Sequence, residues 1–144
     1  MRAVDTNVLI AAHRVEHEKH VIGLARLTTL AESRIPWALP VFCIAEFVRV
    51  VTHPRVFSPP SSLVQSTQFI ERLLESPSVE VLLPRAGFWT VFSEVLAIGA
   101  ATGNLAYDAQ IAALCMQHGV EAIVSEDRDF ARFPFLRLEP WATV

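Results

Sequence analysis

The stretch RAVDTNVLI, residues 2–10, contains the transition from a strand to a helix that decides the fold. Arg2–Asp5 has the pattern of a short strand, and the polar Asp5, Thr6 and Asn7 precede an apolar run. Asp, Thr and Asn are all favoured at helix N-caps, so capping alone accounts for Asp5. However, Thr6 or Asn7 can cap without Asp5, which leaves a second role for this carboxylate open.

Strand-like and helix-like segments alternate along the rest of the chain. Strands are predicted at Val79–Leu83, Ala122–Val124 and Leu136–Leu138, with a weaker one near Trp37–Leu39. Helices are predicted at 17–33, at 41–52, through Leu63–Leu74 after a cap at Ser61 or Ser62, from Phe88 to a break at Gly103, and from an Asn104 cap to Gly119. This alternation favours one α/β domain, residues 1–144, with a mostly parallel sheet flanked by helices.

The composition is typical of a folded chain with more apolar residues than a small monomer needs for its core. Hydrophobic residues make up 52% of it, which excludes disorder and suggests that some apolar surface contacts a partner or a second copy. The net charge of −3 gives no general attraction to nucleic acid. Eleven of the twelve basic residues are Arg, whose planar guanidinium suits phosphate, although a GC-rich genome explains the same bias.

Nothing in the sequence predicts export or membrane insertion. Cys43 and Cys115 lie far apart in apolar stretches and are interpreted as reduced core residues, which suits a cytoplasmic protein. The first apolar run is interrupted at Asp5, so no signal peptide is expected. The most apolar helical stretch contains Glu94 and is too short to span a bilayer.

The positions of the four Asp residues are the strongest functional signal. Asp5 ends the first strand, and Asp127 and Asp129 follow the strand Ala122–Val124. The carboxyl ends of strands are where α/β proteins place their binding sites. Asp108 shares a helix face with apolar residues, where an unpaired charge costs several kcal/mol unless a metal or an Arg compensates it.

Local structure offers ordinary explanations for Glu46 and for the acids after Ser125. Glu46 lies off the apolar stripe of its helix and three residues before Arg49, so a solvated ion pair is the simpler interpretation of its position. Ser125 can cap a short helical turn whose first residues include Asp127 and Asp129. Neither explanation accounts for the number of acids that follow a buried strand.

If the carboxylates converge, their mutual repulsion calls for a cation. Mg²⁺ or Mn²⁺ takes oxygen ligands of this type, and no His or Cys accompanies the acids to suggest zinc. The sequence places the residues where convergence is possible, at Asp5, Asp108, Asp127 and Asp129.

Four segments together resemble the PIN-domain family. They are Asp5-Thr6-Asn7, Glu46 in the second long helix, Asn104 to Asp108-Ala109, and Ser125-Glu126-Asp127-Arg128-Asp129-Phe130. The compact length and the Ala109-x-x-Ala112-Ala113 run are similar to the VapC toxins within that family. The resemblance covers the whole chain, in order and with the expected spacing.

The resemblance implies roles for individual residues. Asp5, Glu46, Asp108 and Asp127 match the metal-binding acids, and Asp129 assists nearby. Thr6 and Ser125 match supporting hydroxyls, although family members more often carry Thr at the latter position, and Asn104 belongs to the matching helix start.

The resemblance also implies an activity and partners. We expect Mg²⁺- or Mn²⁺-dependent hydrolysis of RNA, often a structured tRNA or rRNA, with Glu46 or Asp108 orienting or deprotonating water. Such chemistry does not need the 2′-hydroxyl, so it does not exclude DNA. VapC-like proteins form homodimers and are inhibited by a VapB-like antitoxin that wraps a hydrophobic groove.

Arginines and rival functions complete the expectations. Arg128 is the first candidate for an RNA backbone contact, although an ion pair with Asp127 or Asp129 explains it equally well. Arg14 and Arg49 are weaker candidates. The alternatives to a ribonuclease are a Mg²⁺-dependent phosphatase, which the absence of an early Asp-x-Asp pair disfavours, and a non-catalytic PIN-like module, which the intact acids disfavour.

Overall fold

A computed structural model describes residues 1–141 of the chain. Its centre is a five-stranded parallel sheet with the order β3-β2-β1-β4-β5. The strands are β1 (Arg2–Val4), β2 (Trp37–Pro40), β3 (Val79–Leu82), β4 (Ala122–Val124) and β5 (Arg137–Glu139). The predicted α/β class and parallel sheet are therefore confirmed. The predicted domain, 1–144, includes three residues outside the described part.

Six α-helices connect and cover the strands. They are α1 (Thr6–His13), α2 (His20–Glu32), α3 (Val41–Val51), α4 (Leu63–Leu74), α5 (Phe88–Gly99) and α6 (Leu105–Gln117), and a short 3₁₀ helix spans Arg128–Arg132. The start of α4 is a capping box, in which Ser62 Oγ accepts from the Gln65 backbone N–H and the Gln65 side chain accepts from that of Ser62. Ser62, and not Ser61, is the cap.

The core lies on both faces of the sheet. All residues of β2 and β4 are buried, as expected for parallel strands covered by helices on both sides. The largest fully buried side chains include Trp37, Phe47, Phe130 and Phe133. Cys43 and Cys115 are buried and not paired with each other, which confirms that they are core residues.

The junction between α5 and α6 differs from the predicted break at Gly103. Helix α5 ends at Gly99, followed by Ala100 with φ 45°. A Cβ on Gly99 would lie 2.4 Å from the Phe133 ring, so this glycine allows close packing, which periodicity does not reveal. Gly103, with φ 59°, instead makes the turn into α6. Asn104 occupies the predicted cap position, but its side chain makes no cap hydrogen bond because the residue is already helical.

The strand order puts the ends of β1 and β4 side by side. In the sheet, β2 and β3 lie on one side of β1, and β4 and β5 lie on its other side. The hydrogen-bond ladder continues past β1 and β4, since the Asp5 N–H donates to the Val124 carbonyl at 3.1 Å and the Ser125 N–H donates to the Glu139 carbonyl at 3.0 Å. Such a reversal of strand order is the usual position of a ligand site in α/β folds.

The described surface retains large exposed apolar side chains. Those more than 60% exposed are Val15, Val21, Ile35, Leu63, Val64, Trp89 and Tyr107. Among residues 1–141, no helix has the length and apolar character needed to cross a membrane.

Candidate metal centre

A cavity of about 830 Å³ opens at the carboxyl end of the sheet. Its walls come from α3, α6 and the segment after β4. The lining residues are Phe42, Ala45, Glu46, Arg49, Asn104, Leu105, Tyr107, Asp108, Gln110, Ile111, Asp127 and Asp129. Four of the twelve carry carboxylates and one carries a guanidinium, so the cavity is acidic although the molecule as a whole is nearly neutral.

Three carboxylates in this cavity are close enough to share one ion. One oxygen from each of Asp108, Asp127 and Asp129 lies within 4.8 Å of the other two. Asp108 comes from the first turn of α6, and the other two come from the segment after β4. Asp108 therefore lies close to two residues that follow it by 19 and 21 positions in the sequence.

Asp5 lies beneath these acids, at the start of α1, and is only 6% exposed. Its Oδ1 accepts the Thr6 backbone N–H at 2.8 Å, so Asp5 does cap α1, as one interpretation predicted. Its Oδ2 accepts the Ser125 hydroxyl at 2.6 Å. Burial raises the pKa of Asp5 to about 6, against the effect of these two hydrogen bonds, and the charges of Glu46 and Asp127 raise it further.

Asp108 is half-buried on the helix face that it shares with buried Ile111, Ala112 and Cys115. Burial is the main cause that raises its pKa to about 7, and the charges of Asp127, Asp5, Asp129 and Glu46 add to the shift in that order. A carboxyl group with so high a pKa has no adequate cationic partner within the described chain.

Glu46 forms the predicted ion pair and also lines the cavity. Its Oε1 lies 3.8 Å from Arg49 Nη2, the ion pair that its sequence position indicates. Its Oε2 accepts the Thr6 hydroxyl at 3.0 Å, which directs this carboxylate toward the end of β1. The side chain lines the cavity with Asp108 and Asp127.

Ser125 connects the acids, but it does not cap the 3₁₀ helix. Its hydroxyl accepts the Asp127 N–H at 3.0 Å while it donates to Asp5. The cap is Asp127, whose Oδ1 accepts the Asp129 N–H at 2.9 Å. The predicted cap was therefore two residues early, because the chain first makes a turn closed by the Ser125 side chain.

These residues fit a hard divalent cation. The donors are carboxylate oxygens, several of them close together, and no His or Cys lines the cavity within the described residues. Burial and mutual repulsion already disfavour the ionised forms of Asp5 and Asp108, and a bound cation removes that cost. Zinc sites, in contrast, normally include nitrogen or sulfur ligands.

The predicted arginines lie in three different environments. Arg49 lines the acidic cavity. Arg128 is exposed, and no ion pair joins it to Asp127, Asp129 or any other residue of 1–141. Arg14 follows α1, and its guanidinium contacts the loop before α4: it donates to Ser61 Oγ at 3.0 Å and to the Pro59 carbonyl at 2.8 Å and covers the Phe57 ring.

Sequence reasoning did not single out several residues at the site. Tyr107, Phe42 and Gln110 line the cavity, and Tyr107 is 67% exposed at its wall. Asn7 donates to the Ser125 hydroxyl at 3.1 Å. Helical periodicity from Asp108 does not predict Tyr107 or Gln110, because residues one and two positions apart do not share a helix face. Likewise, nothing local connects Asn7 to a residue 118 positions away.

Comparison with known proteins identifies this architecture. The sequence model of the PIN domain matches residues 2–136. Ribonuclease VapC43 of Mycobacterium tuberculosis is 37% identical over 137 residues, which cover 95% of this chain and 92% of the relative. Ribonuclease VapC31 of the same organism is 33% identical over 95% of this chain and 96% of its own length. The chain therefore belongs to the PIN-domain family. Within that family it is one of the VapC ribonucleases.

Solved structures agree with this fold. Mycobacterium tuberculosis VapC20, described as a sarcin–ricin loop cleaving toxin, superposes with a TM-score of 0.71 at 18% identity and covers 97% of this chain and 100% of its own. VapBC2 of Rickettsia felis, bound to a DNA fragment from its promoter, gives a TM-score of 0.67 at 22% identity, with 96% of both chains covered. At these identities the likeness establishes the fold alone.

Proposed function

We propose that this VapC-type chain is a Mg²⁺- or Mn²⁺-dependent endoribonuclease toxin, with Asp5, Glu46, Asp108 and Asp127 as its metal-binding acids and Asp129 beside them. One observation carries the proposal. Carboxylates from α3, α6 and the segment after β4 line a single cavity, the Asp5 carboxylate at the start of α1 is close to them, and the group lacks enough cationic partners. Family membership favours this function over a phosphatase or a non-catalytic module.

Hydrogen bonds from two hydroxyl groups hold two of the proposed metal-binding acids in position. Thr6 and Ser125 hold Glu46 and Asp5 through hydroxyl hydrogen bonds of 3.0 and 2.6 Å. When bound here, a divalent cation supplies charge stabilisation to the phosphodiester and lowers the pKa of an attacking water. Glu46 or Asp108, which both line the cavity, would orient or deprotonate that water.

RNA is the proposed substrate, and the cavity wall offers the first contacts. Arg49 can neutralise a backbone phosphate at the edge of the cavity, and Arg128 projects from the acidic segment into solvent. Arg14 is the weakest of the three arginines, since its guanidinium is occupied by the loop before α4. VapC20 is described as a sarcin–ricin loop cleaving toxin, and we propose a structured RNA target for this chain too.

We also propose that a VapB-like antitoxin silences the chain and that two copies form a homodimer in the cytoplasm. Exposed apolar side chains on α2, α4 and α5, such as Val21, Val64 and Trp89, provide surface for such partners. The similar chain of Rickettsia felis was solved as VapBC2 bound to a DNA fragment from its promoter. The two buried free cysteines suit a reducing compartment.

The test is cleavage of total cellular RNA by the purified chain with Mg²⁺ or Mn²⁺, with EDTA and Asp5→Ala as controls. We expect a limited set of fragments in the presence of metal and none with EDTA or the variant. Mapping the fragment ends then identifies the target. Metal-independent cleavage, or cleavage by folded Asp5→Ala at the full rate, would overturn the proposal.

A further inference from the structure

The hydrogen bonds of Ser125 leave only one direction for its hydroxyl hydrogen. A serine hydroxyl has one hydrogen to donate and two lone pairs that accept. The backbone N–H of Asp127 and the side-chain Nδ2 of Asn7 both donate to Ser125 Oγ, at 3.0 and 3.1 Å. With both lone pairs occupied, the hydrogen must point to the remaining neighbour, Asp5 Oδ2, at 2.6 Å.

We propose that Asn7 is a positioning residue, which fixes the direction of the Ser125 hydroxyl and thereby holds the Asp5 carboxylate in place as a metal ligand. This inference rests on the proposed metal-dependent function. It assigns to Asn7 a role that neither its place in the first turn of α1 nor its partial exposure explains. Among the described residues, the Asn7 side chain forms no hydrogen bond with Asp5, Asp108, Asp127 or Asp129, so it acts through Ser125.

The orientation of the Asn7 amide supports this role. If the amide were rotated by 180°, its oxygen would face Ser125 Oγ. Asn7 Oδ1 and Asp5 Oδ2 would then compete as acceptors for the single hydroxyl hydrogen of Ser125. The observed orientation avoids this conflict, but it leaves Asn7 Oδ1 buried without a hydrogen-bond partner in the described structure. An unpaired buried acceptor destabilises the fold, so a residue selected only for stability would be a poor choice here.

The neighbouring residues show that the arrangement is specific to Asn7. Thr6, one position earlier, directs its hydroxyl to Glu46 at 3.0 Å and not to Ser125. The hydroxyl of Thr6 therefore cannot replace the Asn7 amide. As a result, consecutive residues at the start of α1 hold the two ends of the site, Glu46 on α3 and Ser125 after β4.

A double-mutant cycle on metal affinity tests the proposal. The dissociation constant for Mn²⁺ is measured by calorimetry for wild type, Asn7→Ala, Ser125→Ala and the double variant. Partners of metal ligands typically change metal affinity by about 10- to 100-fold. We expect each single variant to weaken Mn²⁺ binding about tenfold, and the double variant to match Ser125→Ala within about twofold, because Asn7 acts through that hydroxyl.

Independent effects that multiply in the double variant would overturn the proposal, and so would a folded Asn7→Ala with wild-type affinity. Failure of the wild type to bind Mn²⁺ would instead contradict the proposed function itself, so the two failures are distinguishable. RNA cleavage rates of the same four proteins provide a parallel cycle with the same expected pattern.

Asn7→Leu separates positioning from stability. Leucine has a similar volume but no donor, and it removes the unpaired Oδ1. We expect the melting temperature of the metal-free variant to stay at or above that of wild type while its Mn²⁺ affinity falls about tenfold. A lower melting temperature together with unchanged Mn²⁺ affinity would mean that Asn7 serves only the fold.

Discussion

Two groups of charged side chains in this molecule differ in their ratio of cationic to anionic groups. Around Glu139, one carboxylate is contacted by Arg2 at 2.7 Å, Arg137 at 2.8 Å and Arg26 at 3.2 Å. The acidic cavity is lined by four carboxylates and a single guanidinium, that of Arg49, which lies 3.8 Å from Glu46, and the buried Asp5 carboxylate lies close to Glu46 and Asp127. The first group contains its own counter-charges, and the second does not.

The pKa values reflect this difference. Burial alone would raise the pKa of Glu139, but hydrogen bonds from Arg137 and Arg2 outweigh it, so the pKa lies below its ordinary value. Burial also acts on Asp5 and Asp108, and there the neighbouring charges are mostly acidic, so the pKa values rise to about 6 and about 7. A carboxylate cluster that its own chain leaves uncompensated indicates a cation from outside.

The largest expected effect distinguishes the two groups by activity. Asp5→Ala and Asp108→Ala should each reduce RNA cleavage by at least about 10²-fold, since the stabilisation supplied by a bound cation is worth several kcal/mol. Both variants should remain folded by circular dichroism, because each removes a ligand and little core volume. Glu139→Gln is the matched control and should cleave within about twofold of wild type. Equal losses of RNA cleavage in all three variants would contradict the distinction between the acidic cavity and the Glu139 group.

A second prediction concerns pH and metal together. Between pH about 4 and 7, the folded metal-free chain keeps protons on Asp5 and Asp108 that the unfolded chain has lost, so its stability falls as pH rises through this window. Metal binding displaces those protons. The rise in melting temperature on adding Mg²⁺ should therefore be larger at pH 8 than at pH 5. A shift of equal size at both pH values would contradict this linkage.

A third prediction is that removing a charge stabilises the metal-free protein. At pH 8, Asp108→Asn should raise the free energy of unfolding by about 1 kcal/mol, a value that allows for solvent screening at a half-buried site. The gain should be smaller at pH 5 and should vanish only below pH about 4, where Asp108 is protonated in both the folded and the unfolded chain. Chemical denaturation at the two pH values measures the difference. Destabilisation at pH 8 would show that Asp108 is already compensated within the chain.

The smallest expected effect belongs to Glu139. Because three arginines surround it, Glu139→Gln should lower the free energy of unfolding, by about 1 kcal/mol for a largely surface network. Added NaCl should reduce the difference, since partly exposed ion pairs are screened. Thermal unfolding at low and high salt is sufficient to measure it. A gain in stability would mean that Glu139 is not adequately compensated by its arginines.

Much of the fold was predictable because local patterns and topology agree. Each of the five strands was expected within one or two residues of its observed position, and strand–helix alternation is sufficient to indicate a parallel sheet. The α5–α6 junction was not predictable, since Gly99 serves a contact with Phe133 that is 34 positions away. Likewise, the Asn104 position was right while its capping hydrogen bond does not form.

The site was predictable in its members more than in its connections. Asp5 and Asp127 follow from strand ends, and Asp108 follows from a charge on an apolar helix face. Glu46 needed the family resemblance, because its ion pair with Arg49 is real and gives a sufficient local explanation. The contacts of Ser125 with Asn7 and Asp5 depend on the pairing of β1 with β4, which no local pattern encodes.

The most direct test of the central claim is calorimetric titration of the metal-free protein with Mn²⁺. The acidic cavity is expected to bind the cation that the chain itself does not supply. Wild type and Glu139→Gln should bind Mn²⁺ with equal affinity within about twofold, and Asp108→Ala should bind at least about tenfold more weakly. If Asp108→Ala bound Mn²⁺ as tightly as wild type, the cavity would not be the metal centre and the account of this site would be wrong.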